Sequence, residues 1–313
     1  IAEDISTFTM FLDPRFAKTG VAVDNQGRVT VAYTEFFGGL PRVKAARADA
    51  TTGTIIDPDF LVNDAIRGNP DVALLDPAGN RLIVVTEELT SGPGVRGNII
   101  DFSGGSPVVL PEFVINTTVS DFGDLNPAVA ADPATGNFTV VWDAVTGLQG
   151  DPIDVRGRRF DAMGNPIGND FQINTTDGDT QAQPTVAYGN FDNLSAVAWA
   201  ADSTMPMGTD DLDVFLQIYD ADGNPIDGEI KVNTFSTNTQ DRPAVRFLPE
   251  RDALGRPQVV VTWRDTGNAA GTSPRGTGVS YRCFSINGFE EAQPIFADGF
   301  ESGDTTSWSD EQP

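Results

Sequence analysis

The chain has 313 residues, 39% of them hydrophobic, and a formal net charge of -25. Apolar residues suffice for a real core, while so negative a surface repels phosphate backbones and anionic membranes, so nucleic acid is not an expected partner. There is no histidine and a single cysteine, Cys283, which excludes His-based triads, His-ligated zinc or haem, and any intrachain disulfide.

The first ten residues, IAEDISTFTM, alternate, with Ser6, Phe8 and Met10 on one side and Ile5, Thr7 and Thr9 on the other. That pattern predicts a strand. From about residue 11 the chain begins to repeat. An X-Pro-X-Val phrase recurs at Pro70, Pro127, Pro184 and Pro243, at spacings of 57, 57 and 59 residues, and "TGVAVDNQG" from Thr19 fills the same place without the proline. Each is followed by a β-rich run: RVTVAY from Arg28, RLIVVT from Arg81, NFTVVW from Asn137, SAVAWA from Ser195 and QVVVTW from Gln258. Third runs begin at Val43, Val95, Val155, Val214 and Val279, and Cys283 alternates with Val279 and Tyr281 as a packed strand residue. Fourth runs begin at Phe60, Phe113, Phe171 and Ile230 and end in Asn or Asn-Thr.

The fifth unit is placed by the phrase FDAMGNPIGNDFQINTT, residues 160–176, used as a ruler. Gly288 matches Gly164, and Phe171 stands seven residues past Gly164, so Ile295 starts the matching strand and "PIFAD" (294–298) is the predicted fourth strand. Each unit then has four short strands rich in Val, Ile, Thr and aromatics, with Gly, Pro, Asn and Asp at the joints and no helical period. Five such units predict an all-β, five-bladed β-propeller, with a β-sandwich or solenoid as the alternative. The expected division is a spare N-terminal strand (1–10), a propeller (11–298, with blades at about 11–63, 64–118, 119–176, 177–235 and 236–298) and an acidic tail (299–313). No apolar run reaches the roughly 18 residues of a membrane span.

Several residues are candidates for chemistry, each set against a structural reading. Asn116, Asn174 and Asn233 recur once per blade and could hydrogen-bond sugar hydroxyls, but Asn at a strand end also caps a turn. Trp142, Trp199 and Trp263, with Tyr33 in the same slot, could stack on sugars, but large aromatics there also fill the wedge between blades. The DADGN loop carries Asp220 and Asp222, and Asp210 and Asp213 lie nearby, which is oxygen spacing suited to Ca2+. Met163 replaces the second Asp in the matching turn of blade three, so the repeat needs the turn and not the metal, and no cofactor is expected. Asp24, Asp76 and Asp132 recur and read as turn residues. Glu87, Glu88 and Asp265 do not recur and are the acids to test first for glycoside cleavage, which needs a carboxylate pair.

The phrases VRGRRFDAMGNPIGNDFQINTT and NPAVAADPATGNFTVVWD resemble repeats of large secreted bacterial surface proteins, of the FDxxGxPxGxxFxVNT and PxVAxDxxGxFVVVW type. The ending IFADGFESGDTTSWS resembles a C-terminal segment of many exported bacterial proteins. These resemblances imply β-propeller blades and an extracellular or cell-surface location after removal of a signal peptide. The resulting expectation is a non-enzymatic propeller with a structural or adhesive role. Ile5, Thr7, Phe8, Thr9 and Met10, with Phe300 and Trp308 of the tail, would dock on a neighbouring copy to give a homo-oligomer or polymer. The alternatives are a lectin-like propeller binding surface glycans and, after it, a glycoside hydrolase.

Overall fold

The computed structural model describes residues 18–90, 94–117, 123–145, 153–175, 180–190, 193–202, 212–234, 239–266 and 278–286. These form a five-bladed β-propeller of antiparallel sheets, and the described residues contain no helix. Blade one holds β1 (Gly20–Val23), β2 (Arg28–Phe37), β3 (Leu40–Asp49) and β4 (Ile55–Asn63). Blade two holds β5 (Arg67–Leu74), β6 (Arg81–Glu88) and β7 (Val95–Asp101). Its fourth strand is split into β8 (Val108–Val109) and β9 (Phe113–Val114), both paired with β7. Blade three holds β10 (Asp124–Ala131), β11 (Phe138–Val145), β12 (Ile153–Phe160) and β13 (Pro166–Gln172). Blade four holds β14 (Gln181–Tyr188), β15 (Ser195–Asp202), β16 (Leu212–Tyr219) and β17 (Pro225–Lys231). Blade five shows β18 (Gln240–Phe247), β19 (Gln258–Asp265) and β20 (Gly278–Ser285). The expected fourth strand over 294–298 lies outside the described residues, as do the segments 1–10 and 299–313.

Packing between blades explains the composition of the strands. β11 and β15 are buried at every position but the last, because a neighbouring blade covers each face, so they read as continuous apolar runs. Ala32, Val43 and Val62 of blade one meet Leu82, Val84 and Ile100 of blade two. Ile83 and Val85 meet Phe138, Trp142 and Phe160 of blade three, where Phe138 and Phe160 stack with centroids 5.1 Å apart. Val141, Val155 and Ile173 meet Val186 and Val197 of blade four, and Leu216 and Val232 meet Val245, Val261 and Phe284 of blade five. In β19 only alternate residues are buried, so the described residues cover one face of blade five.

Antiparallel order gives the ring two ends. At one end, the turn end, strands one and two and strands three and four are joined by tight turns. Aspartates organise those turns. Asp24 accepts N–H groups from Gln26 (2.9 Å) and Arg28 (3.0 Å), Asp76 from Asn80 (3.1 Å) and Arg81 (2.7 Å), and Asp132 from Ala134 (2.9 Å). Asp161 and Asp220 do the same for Asn165 and Asn224 at 2.8 Å in the repeated FDAMGN and YDADGN phrases. The turn glycine at 136 has φ +74, and a Cβ there would stand 2.3 Å from the Leu75 carbonyl oxygen of the previous blade. The opposite end, the loop end, carries the connections from strand two to strand three and from each blade to the next.

Candidate functional site

At the loop end, each innermost strand of blades two to five is interrupted. The ladders slip between Gly68 and Asp71, Leu125 and Ala128, Ala182 and Thr185, and Asp241 and Ala244. The slipped pair is in every case X-Pro. Proline lacks the N–H that a ladder needs, so the phrase makes a bulge. The residue before it takes a left-handed conformation: φ is 47 at Asn69, 50 at Asn126, 58 at Gln183 and 51 at Arg242. The bulge turns this residue's N–H and side chain away from its own ladder, toward the last residues of strand two.

What waits there differs from blade to blade. The slot after the strand-two aromatic, or its equivalent, holds Thr34, Glu87, Asp143, Ala200 and Arg264 in blades one to five. Glu87 and Asp143 are therefore acids at one position in adjacent blades, 6% and 3% exposed. Asn126 touches both: its amide side chain donates to Asp143 Oδ2 (2.7 Å) and its backbone N–H to Glu87 Oε2 (3.4 Å). Asn69 Nδ2 donates to Glu87 Oε2 (2.8 Å), and the Gln183 N–H donates to Asp143 Oδ1 (2.8 Å). Asp71, from the bulge of blade two, accepts the Val129 N–H of blade three at 3.0 Å. Lys18, at the head of blade one, reaches the Pro127 carbonyl oxygen of blade three, and its Nζ lies 4.0 Å from Asp71 Oδ2.

Burial dominates the electrostatics. It raises the proton affinity of Glu87, against the donors Asn69 and Asn126 and the Lys18 charge. It pushes the pKa of Asp143 up to about 7, with neighbouring Glu87 adding to the rise and Asn126, Gln183 and Lys18 opposing it. A carboxyl that keeps its proton toward neutrality, next to a second carboxyl, can donate a proton while its neighbour accepts one. Across the ring, Arg264 forms a two-pronged ion pair with Asp241. Among the described residues, the turn-end mouth has a single acid, Asp76, in its wall. It opens into a cavity of about 300 Å³ with Leu74, Ala131, Tyr188, Asn190 and Arg246 in its wall.

The repeated residues lie elsewhere. Asn116, Asn174 and Asn233 are buried, and their side-chain oxygens accept the N–H groups of Val95 (3.1 Å), Val155 (2.9 Å) and Val214 (2.8 Å). They bind the fourth strand to the third and present no amide to a sugar. Trp142 and Trp199 have no exposed surface and donate to Asp124 (3.1 Å) and Gln181 (2.8 Å); Trp263 is 7% exposed. These six glycan-contact candidates are thus corrected to packing and strand-joining roles. Asp213 is buried against Lys231 (2.6 Å) and Asn233 (2.6 Å), Asp220 holds its own turn and Asp222 is exposed. Asp210 lies outside the described residues, among which no group of three His, Cys, Asp or Glu is placed to hold a metal ion. The proposed assembly residues Ile5, Thr7, Phe8, Thr9, Met10, Phe300 and Trp308 also lie outside them. Of the acids marked for testing, Glu87 is in the site, Glu88 pairs with Arg67 (3.5 Å) and Arg96, and Asp265 accepts from Gln240 (3.3 Å). Sequence reasoning missed Asp143, Asp71 and Lys18. Comparing that one slot across the five blades finds Asp143.

No family model matches the chain, and no curated protein matches it in sequence. Among solved structures the fold is similar to the GH93 alpha-L-arabinofuranosidase of Fusarium graminearum in complex with arabinobiose. The identity is 12%, over 87% of this chain and 82% of that one, with a TM-score of 0.57. It is also similar to endo-arabinase from Bacteroides thetaiotaomicron (14% identity, 85% and 93% coverage, TM-score 0.50). A third is an N-acetylgalactosamine deacetylase from F. plautii in complex with blood group B trisaccharide (13% identity, 88% and 91%, TM-score 0.50). At these identities the likeness establishes the fold. The expectation of a non-enzymatic protein with a structural or adhesive role is overturned by this set. The similar folds carry the names of carbohydrate-active enzymes, and the glycoside-hydrolase alternative fits them better. Among the described residues, no helix is long and apolar enough to cross a membrane.

Proposed function

We propose that the protein is a glycoside hydrolase acting on arabinose-containing polysaccharide, with Glu87 and Asp143 as its carboxylate pair. The observation that carries the reading is that these acids, from adjacent blades, share Asn126 and are both pushed toward holding a proton. The likeness in fold to an arabinofuranosidase and an endo-arabinase supports the choice of substrate. The resemblance of the C-terminal segment to exported proteins supports action outside the cell.

Asp143, protonated up to about pH 7, is the proton donor. Its proton passes to the glycosidic oxygen as the bond from that oxygen to the anomeric carbon breaks. Glu87 takes a proton from the water whose oxygen bonds to the anomeric carbon, so the saccharide leaves with a free hydroxyl at each cut end. Asn126 positions both carboxyls, and the Lys18 charge favours the ionised carboxylate of Glu87. Asp71 and Lys18 are the more exposed members, at 24% and 31% of their side chains, and mark the approach from solvent.

Reducing-end release from linear arabinan and from arabinogalactan tests this. The wild type is expected to release sugar, and D143N and E87Q are expected to lose on the order of 100- to 10,000-fold in rate. No release from either polymer by the folded wild type, or full activity in both variants, would overturn the reading.

A further inference from the structure

We infer that the tip of the long hairpin in blade one is a stacking subsite that holds a neutral polysaccharide chain beside the loop-end mouth. The inference rests on the glycan reading above and adds a binding element to it. β2 and β3 pair over ten positions, ending at Phe37 opposite Leu40, whereas β11 and β12 pair over eight. Thr34 occupies the slot that holds Glu87 and Asp143 in the next two blades. Phe37 stands three residues beyond it, so the tip rises roughly 10 Å past the level of the carboxyls. Gly38 and Gly39 both have positive φ, 60 and 84, which is the two-residue turn that closes a hairpin tightly. The tip is thus a firm projection.

The tip presents apolar side chains to solvent. Phe37 is 66% exposed and Leu40 46%, side by side on one rigid turn. Neither side chain belongs to the hydrophobic clusters between the blades, and the register sets them opposite each other at the tip. The Arg42 guanidinium lies 5.4 Å from the centre of the Phe37 ring and is itself held by Asp64 at 2.6 Å, which fixes one face of the ring. Farther down the same hairpin, opposite Tyr33, Lys44 is held between Glu35 (2.9 Å) and Asp59 (2.7 Å). An aromatic face with ionic groups at its rim matches a sugar, whose C–H face packs on the ring while its hydroxyls reach the charges. The net charge of -25 argues against a polyanion, so the chain is a neutral one.

Affinity electrophoresis of the full chain, in gels with and without linear arabinan or arabinogalactan, provides the test. E87Q serves as the background so that the polymer is not cut. E87Q should be retarded by one of the polymers. Adding F37A should weaken that retardation roughly tenfold, and F37W in its place should restore it. Equal retardation of E87Q and E87Q/F37A would overturn the subsite, whatever the wild type hydrolyses. Absence of retardation of E87Q by either polymer would overturn it as well. Retardation that depends on Phe37, in a chain whose wild type releases no sugar, would keep the subsite and remove the hydrolase reading.

Discussion

The two ends of the propeller use the same residue type in opposite ways. At the turn end, aspartates sit where backbone N–H groups converge on them. Burial works against the charge of Asp24, but hydrogen bonds from Arg28, Arg47 and Gln26 prevail and hold its carboxyl below the usual range. The Asn165 amide does the same for Asp161, and the Asn224 N–H for Asp220. At the loop end, Glu87 and Asp143 are buried with fewer donors, and both are pushed up. Acid content therefore says little about function. The donors around each carboxyl decide whether it is a staple for a turn or a group that can exchange a proton.

Replacing one acid at each end exposes the contrast most sharply. D143N should cost on the order of 100- to 10,000-fold in turnover. Should D132A lose as much turnover as D143N, in a protein that is still folded, the distinction between the ends would collapse. G136A probes the turn end harder. Its Cβ would meet the Leu75 carbonyl oxygen at 2.3 Å, at a φ that disfavours any side chain. A loss of about 1–3 kcal/mol by urea unfolding is expected, with the loop-end site intact.

The ends should also titrate with opposite sign. Asp143 has a raised pKa in the folded state, so between about 4 and about 7 the folded chain holds a proton that the unfolded chain releases. Its contribution to stability therefore falls as pH rises through that window. The depressed aspartates at 24, 161 and 220 contribute stability that is present above about pH 4 and lost on further acidification. Melting curves at pH 5 and pH 8 should show D143N with a flatter dependence than the wild type, by a few degrees at most. An unchanged slope would mean that Asp143 is ionised throughout. The smallest effect belongs to D132A, which removes the acceptor of the Ala134 N–H and the Thr135 hydroxyl. About 1 kcal/mol of stability should be lost, with kcat unchanged.

The blades were legible in the sequence because every one must solve the same packing problem. Val140 and Val197, Trp142 and Trp199, and Asn174 and Asn233 recur since each wedge needs a filler and each outer strand a clasp. The same recurrence misled the reading of ligand contacts, as the most repeated residues are the most buried. The site was hard to read for the opposite reason. Glu87 stood out as an acid that is not repeated. Asp143 looked like one more Asp in an Asp-rich chain, and its proton affinity depends on Asn126 of its own blade's bulge and on Gln183 and Lys18, which approach from other blades. Lys18 lies over a hundred residues from the Pro127 carbonyl that it reaches, a distance no local pattern records.

The X-Pro bulge has a wider consequence. In blades three, four and five its free N–H points at the previous blade and finds Glu87, Asp143 and Gln183 in turn, at 3.4, 2.8 and 2.9 Å. The ring is thus a set of interchangeable sockets, each pre-wired with a donor, into which a single codon change can place an acid, an amide or nothing. Chemistry on such a frame can migrate from one blade to the next without rebuilding the blades around it, so that descendants of one propeller can keep the architecture and carry their reactive groups at different hours of the same clock face.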